Sequence, residues 1–340
     1  MKEEIIIFGN GQDWCEKSLT DFKKYKNITI INDKYLCKLN SFFLFFAKIH
    51  FSYKLNKKIK LPFKSIWFKK IIKGINKNSD ENIIFIIYDR NLMANNEKFI
   101  KKIRKEFPKC KLVYMFTNIV NISGARDNDF VEKLNKFYDV VYAFDPVDGK
   151  KYNFKYSPLI YSYNKLNVSS EEKVFYVGRA KDRYEMLLKS YEKLKQIGIN
   201  RKFYISDVKS EARKYEEEIE YNRYISYDEC LKNIQESTCL LDIIQGNSTG
   251  FTIKTCEAVF YDKLLITTNK NVINAPFYNK KYILIIESAN DINIDFFKNA
   301  GKVKYSKKGK EYFSVETYLK KLYKDLNIND ERIKNEEKYK

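Results

Sequence analysis

Asp242-Ile243-Ile244-Gln245-Gly246-Asn247-Ser248-Thr249-Gly250-Phe251-Thr252-Ile253-Lys254-Thr255-Cys256-Glu257-Ala258 reads as a strand that empties into a polar loop and then a helix. The apolar run Cys239–Ile243 predicts a buried strand, and a helix is predicted from Phe251 to Phe260. A second apolar run, Leu264–Thr267, follows at once as the next strand. Strand, loop, helix and strand in that order is the repeating unit of a parallel sheet covered by helices.

Working upstream, the same alternation predicts strands at Val174–Val177, Lys202–Ile205 and Arg223–Ile225, with helices at Asp182–Ile197 and Tyr227–Gln235. Before residue 150 it recurs, with strands at Glu4–Phe8, Ile28–Asn32, Ile83–Tyr88, Lys111–Phe116 and Asp139–Phe144. Helices are predicted there at Cys15–Tyr25, Asn95–Glu106 and Asp127–Phe137; the second carries Phe99, Ile100, Ile103 and Phe107 at helical spacing and is stopped by Pro108. Tyr152–Ser170 has little helical period and reads as a hinge. The expected organisation is an α/β N-terminal domain over 1–160, an α/β C-terminal domain over 161–315, and a C-terminal part over 316–340 made of a helix (Val315–Leu326) and the charged tail Asn327–Lys340. Two such domains leave a cleft at the carboxyl ends of their strands, where open α/β sheets bind ligands.

Composition bounds the partners. With 340 residues and 44% hydrophobic content, the chain has material for more than one core. The formal charge of +20 points to polyanionic partners or, as a bland alternative, to lysines scattered on solvated faces. Six cysteines without a Cys-x-x-Cys pair, and one histidine, argue against a zinc site, so no metal and no cofactor are expected. The thiols read as small buried hydrophobes in a reducing compartment. The apolar start Ile5–Phe8 is too short for a secretory segment, and Phe42–Ala47 is too short to span a bilayer, so a cytoplasmic protein is expected.

Three turns are candidates for anion binding. Gly9 and Gly11 follow the first strand and allow close backbone approach, although tight-turn geometry alone accounts for them. Gly178, Arg179 and Lys181 leave the strand at Val174–Val177 and suit a diphosphate, the alternative being a helix start capped by Asp182. Thr249, Gly250, Thr252 and Lys254 open the helix that contains Glu257, a carboxylate among apolar neighbours that needs a hydrogen-bonding partner such as a ribose hydroxyl. A partly exposed glutamate on an amphipathic helix is the competing reading.

The run Gly250-x-Thr252-x-Lys254-x-x-Glu257-Ala258, followed by Lys263-Leu264-Leu265-Ile266-Thr267-Thr268-Asn269, resembles the donor-site region of GT-B glycosyltransferases, especially capsular and lipopolysaccharide enzymes. Tyr176-Val177-Gly178-Arg179, Ile225-Ser226-Tyr227-Asp228-Glu229 and Ala143-Phe144-Asp145-Pro146 are similar to the same group, in the same order. The resemblance implies the GT-B fold, two Rossmann-like α/β/α domains facing a cleft. It implies a nucleotide-sugar donor, UDP-sugars first, and a glycan or lipid-linked acceptor in surface polysaccharide synthesis. Glu257 would hold the ribose, Arg179 and Lys254 the diphosphate with Thr249, Gly250 and Thr252, and the loop at Ile225 and Tyr227 would face the base. Where many relatives carry a second glutamate eight positions before the first, this chain has Thr249, and no retaining assignment is drawn.

An inverting transfer needs a base on the acceptor side. Asp89, at the end of the strand Ile83–Tyr88, is one candidate; Asp13 and His50 are the others. Asp89 and His50 have ordinary structural alternatives, a loop salt bridge for the first and a satisfied structural histidine for the second. Phe42–Ile75 interleaves lysines, among them Lys48, Lys54, Lys57, Lys58, Lys60, Lys64, Lys69 and Lys70, with aromatic residues and fits an anionic membrane surface, single-stranded nucleic acid or an inward-packed insertion. A non-enzymatic nucleic-acid-binding protein is disfavoured by the lack of a helix-turn-helix, zinc or RNP-like signature. An epimerase on the same fold is a third class.

Overall fold

The structure is a computed structural model that describes residues 3–31, 45–46, 49–50, 55, 59, 83–89, 91, 97–120, 128–246 and 248–328. Most of the basic stretch Phe42–Ile75, the helix start at Asn95, Asp127 and Asn247 lie outside these residues. The chain divides into two compact units, one reaching to Ser157 and resuming at Tyr318, the other formed by Pro158–Thr317. Among the described residues no helix is long and apolar enough to cross a membrane.

In the first unit β1 (Glu4–Phe8), β2 (Ile28–Ile31), β3 (Ile83–Tyr88), β4 (Lys111–Met115), β5 (Val140–Ala143) and β6 (Lys155–Tyr156) form one parallel sheet in the order β2-β1-β3-β4-β5-β6. All six residues of β3 are buried, as a central parallel strand covered on both faces requires. The connecting helices are α1 (Asp13–Ser18), α2 (Glu97–Glu106), α3 (Asn128–Phe137) and α4 (Pro146–Tyr152). The helix expected over Cys15–Tyr25 breaks at Leu19 into a 3-10 turn at Thr20–Lys24. Helix α4 was not expected; Asp145 caps it by accepting from the N–H of Val147 at 2.9 Å, Pro146 suits its first turn, and Asn153 ends it in the left-handed region.

The second unit holds β7 (Glu171–Arg179), β8 (Asn200–Ser206), β9 (Ile219–Tyr221), β10 (Ser237–Asp242), β11 (Leu264–Thr267) and β12 (Ile283–Ile285), all parallel, in the order β12-β11-β10-β7-β8-β9. Its helices are α5 (Tyr184–Gln196), α6 (Tyr227–Glu236), α7 (Ile253–Phe260), α8 (Ile294–Asn299) and α9 (Lys307–Glu311). The strand expected at Arg223–Ile225 lies earlier, as β9, because Asn222 turns left-handed (φ 55°) and its N–H goes back to the carbonyl of Ile205. Helix α10 (Val315–Asp325) carries the chain back into the first unit. There Tyr318 meets the rings of Phe22 and Tyr142, and Asp325 accepts from Tyr142 Oη at 2.7 Å and Lys155 Nζ at 2.9 Å.

Candidate functional site

Strand order fixes where the second unit can bind a ligand. From β7 the chain winds outward through β8 to β9; from β10 it winds the other way, through β11 to β12. Numbered within the unit this is the doubly wound order 3-2-1-4-5-6, and the loops leaving β7 and β10 part company at the switch point.

At the exit of β7, Gly178 leaves its backbone bare. A Cβ there would stand 2.8 Å from Tyr176 Oη, closer than real Cβ contacts come, so glycine is required by the tyrosine beneath it. Tyr176 is fully buried and its hydroxyl has no hydrogen-bond partner among the described residues. Burial pushes that phenol up to about 12, so it stays protonated, a donor with nowhere to donate. Lys254 Nζ lies 5.2 Å from the centre of the same ring and 3.7 Å from the Cβ position of Gly178. That ammonium makes no ion pair or hydrogen bond among the described residues.

Helix α7 starts with its first turn fixed. Thr252 is the N-cap; its Oγ1 accepts from the N–H of Thr255 and donates to Asp242 Oδ2 at 2.6 Å, and Thr255 Oγ1 donates to the same oxygen at 3.0 Å. The hydroxyl of Thr252 is thereby committed to the protein, whereas the sequence reading gave it to phosphate. The N–H groups of Ile253 and Lys254 have no partner among the described residues and carry the positive end of the helix.

The intervening loop is clamped from both sides. Asp182, read as a helix cap, accepts from the N–H of Gly246 at 2.8 Å; Lys181 donates to Gln245, and Arg183 donates to the carbonyl of Ile243 at 2.8 Å. Of the cations after β7, Lys181 and Arg183 therefore hold the loop, while Arg179 is largely exposed, 3.5 Å from Asp207. From β11, Thr268 Oγ1 accepts from the N–H of Ile244 at 3.0 Å, and the amides of Asn269 and Asn271 donate to the carbonyls of Gly250 and Thr249. The Thr267-Thr268-Asn269 run is visible in the sequence, but these uses of Thr268, Asn269 and Asp242 are not.

Glu257 is 2% exposed. Its Oε1 accepts from Tyr227 Oη at 2.7 Å; Tyr227 Oη is 3.2 Å from Tyr161 Oη, which is 3.4 Å from Tyr261 Oη. Burial pushes the carboxyl up to about 7; the hydroxyl of Tyr227 and the charge of Lys254 oppose the rise, and Asp242 adds to it. Tyr227, expected toward a base, turns its hydroxyl to Glu257, while Ile225 is half-buried and Tyr224 is 80% exposed.

The other expected site residues belong to the first unit. Gly9, after β1, accepts from Asn91 Nδ2 at 2.6 Å; Gly11 has φ 71° and needs to be glycine; Asp13 begins α1 and is exposed. Asp89 has no exposed surface, and its Oδ1 accepts from the N–H of Thr117 at 3.0 Å and from the Thr117 hydroxyl. It joins the ends of β3 and β4. His50 lies in the helical pair 49–50 and is half-buried. Among the described residues no group of three or more His, Cys, Asp or Glu could hold a metal ion.

No protein-family model matches the chain, and no curated protein matches its sequence. Solved structures do match its fold. An α-glucosyltransferase in complex with UDP-glucose and DNA containing an abasic site is 13% identical, with a TM-score of 0.56 over 95% of this chain and 99% of its own. Trehalose-6-phosphate synthase OtsA is 11% identical, with a TM-score of 0.54 over 96% of this chain and 100% of its own. Anabaena HepE in complex with UDP and glucose is 10% identical, with a TM-score of 0.54 over 96% and 99%. At such identities the likeness speaks for the fold, and the fold is GT-B, two Rossmann-like α/β domains.

Proposed function

We propose that the chain is a glycosyltransferase that takes a sugar from a nucleotide-sugar donor, UDP-sugars first, and binds the donor's diphosphate at the switch point of the second unit. The observation that carries this reading is the ammonium of Lys254, without an ion pair among the described residues, beside the bare backbone of Gly178 and the unmet N–H groups at the start of α7. A half-buried cation and free helix N–H donors beside a bare glycine backbone make a preorganised anion site. The names of the structural neighbours, two of them bound to UDP-glucose or to UDP and glucose, support the choice of donor.

In the transfer, the leaving nucleoside diphosphate gains negative charge as the glycosidic bond to it breaks. Donors already in place stabilise that charge without reorganising. Lys254 and the N–H groups of Ile253 and Lys254 do this in the proposal, Arg179 closes on the phosphates from the exposed side, and no metal is required. Thr249 and Gly250 shape the loop, their carbonyls held by Asn271 and Asn269. We assign no catalytic base: Asp89 is enclosed and bonded to Thr117. A glycan or lipid-linked glycan of a surface polysaccharide is the proposed acceptor, and the basic stretch Phe42–Ile75 the proposed contact with an anionic membrane, on the cytoplasmic side; both rest on the sequence resemblance and composition.

Titration with UDP and UDP-sugars, beside GDP and ADP, tests the proposal. Replacing Lys254 by Ala should weaken UDP at least tenfold, since a hydrogen bond to a charged group is worth ~1.5–3 kcal/mol. Equal affinity in Lys254→Ala and wild type would remove the diphosphate from this site.

A further inference from the structure

Glu257 is an unusual group to bury. A carboxylate enclosed by protein must be hydrogen-bonded or neutral, and among the described residues this one has a single hydrogen bond, from Tyr227 to Oε1. Oε2 has none. Tyr227 stands at the first position of α6 and reaches across to α7, and its own oxygen is met by Tyr161, which comes from a different part of the chain. Tyr161 is fixed in turn: its N–H goes to the carbonyl of Phe313, and Tyr261, beside it, donates to the carbonyl of Asn164 at 3.1 Å. The hydroxyl on Glu257 therefore sits at the end of a packed row of tyrosines, with little freedom to leave.

We propose that Tyr227 is a positioning residue for the Glu257 carboxylate: it pins Oε1 and leaves Oε2 to accept from a sugar hydroxyl of the nucleotide. The proposal rests on the reading of the second unit as a nucleotide site. It gives Tyr227 a role distinct from contact with the base.

Tyr227 and Cys230 face Glu257 from α6, Lys254 and Cys256 from α7, Asp242 from the end of β10, and Tyr161 and Tyr261 from the segments that close the row. The thiols and phenols are held up by burial and stay neutral through the physiological range, so they do not stabilise the anion by charge. Burial favours the neutral acid, and Asp242 does so as well; among the described residues Lys254 and the Tyr227 hydroxyl favour the carboxylate. Removing the hydroxyl takes away one of two supports and moves the titration to higher pH.

The test uses the full chain and two readouts. The infrared band of the protonated carboxyl, identified by its loss in Glu257→Gln, reports ionisation with no ligand present. UDP-glucose binding reports function, and its diphosphate is a diester that does not itself titrate between pH 6 and 9. In wild type the band should disappear with a midpoint near neutrality, and affinity for UDP-glucose should rise over the same range. In Tyr227→Phe the midpoint should rise by about one pH unit, leaving affinity at pH 7 about fivefold weaker and recovering by pH 9. Glu257→Gln should bind with an affinity that ignores pH. A merely structural tyrosine would weaken binding equally at every pH. An unmoved infrared midpoint overturns the proposal, and so does a moved midpoint with an unmoved binding profile. Wild type that ignores UDP-glucose while the midpoint still moves would overturn the UDP-sugar reading and leave the hold of Tyr227 on the carboxylate standing.

Discussion

Glu257 makes the protein less stable in the pH range where the proposed reaction needs it charged. Its carboxyl is raised from the ordinary value to about 7 by burial, so between those two points the folded chain holds a proton that the unfolded chain has lost. Stability then falls as pH rises through that window, because the folded state binds the more protons there. Replacement by Gln removes the titration. The difference in unfolding free energy between wild type and Glu257→Gln should shift by ~3 kcal/mol against wild type between pH 5 and pH 8, read by urea denaturation at each pH. A difference that stays constant with pH would show that the carboxyl is not perturbed in this way. The importance of Glu257 was legible in the sequence, since Cys256, Ala258, Val259 and Phe260 surround it with apolar neighbours. Its partners were not. Tyr161 and Tyr227 lie far from it along the chain, and no local pattern marks which tyrosine turns inward.

At the level of elements, the site depends on how α7 is joined to β10. Two hydroxyls from the first turn of the helix converge on Asp242, the last residue of the strand, which is itself 2% exposed. The joint fixes the direction in which the free N–H groups point. Thr252→Ala removes the cap and one of the two donors to a buried carboxylate, and should lower stability by ~1–2 kcal/mol, with Thr252→Ser restoring most of it. Chemical denaturation measures this; an alanine variant as stable as wild type would mean the joint does not hold the helix. A helix starting near residue 252 was readable from the polar loop and the Thr that follows it. Cross-strand partners such as Asn269 to Gly250 were not, because they depend on β10 and β11 lying side by side. Short elements also escaped: β6 and β12, of two and three residues, are too brief to show a period. Helix α4 had its start signal in Asp145-Pro146, but Gly149, Lys150 and Lys151 hide its apolar face.

The chain builds two parallel six-stranded sheets that differ in strand order, and the alternation of apolar runs with helical segments was enough to read two α/β halves. Strand order was beyond the sequence. It is set by which way each crossover turns, and local pattern is the same either way. The allegiance of the last helix was hidden for a similar reason: Tyr318 and Asp325 find their partners at Phe22, Tyr142 and Lys155, all far earlier in the chain. What the order of the second sheet adds is a location, since the β7 and β10 exits bring Gly178 and Lys254 to one switch point. A crystal structure of the chain with UDP tests that location most directly. The diphosphate should lie against Gly178, with Lys254 Nζ and the N–H groups of Ile253 and Lys254 at charge-assisted hydrogen-bond distance, ~2.7–2.9 Å. A diphosphate bound elsewhere, with the start of α7 filled by the protein's own side chains, would contradict the account.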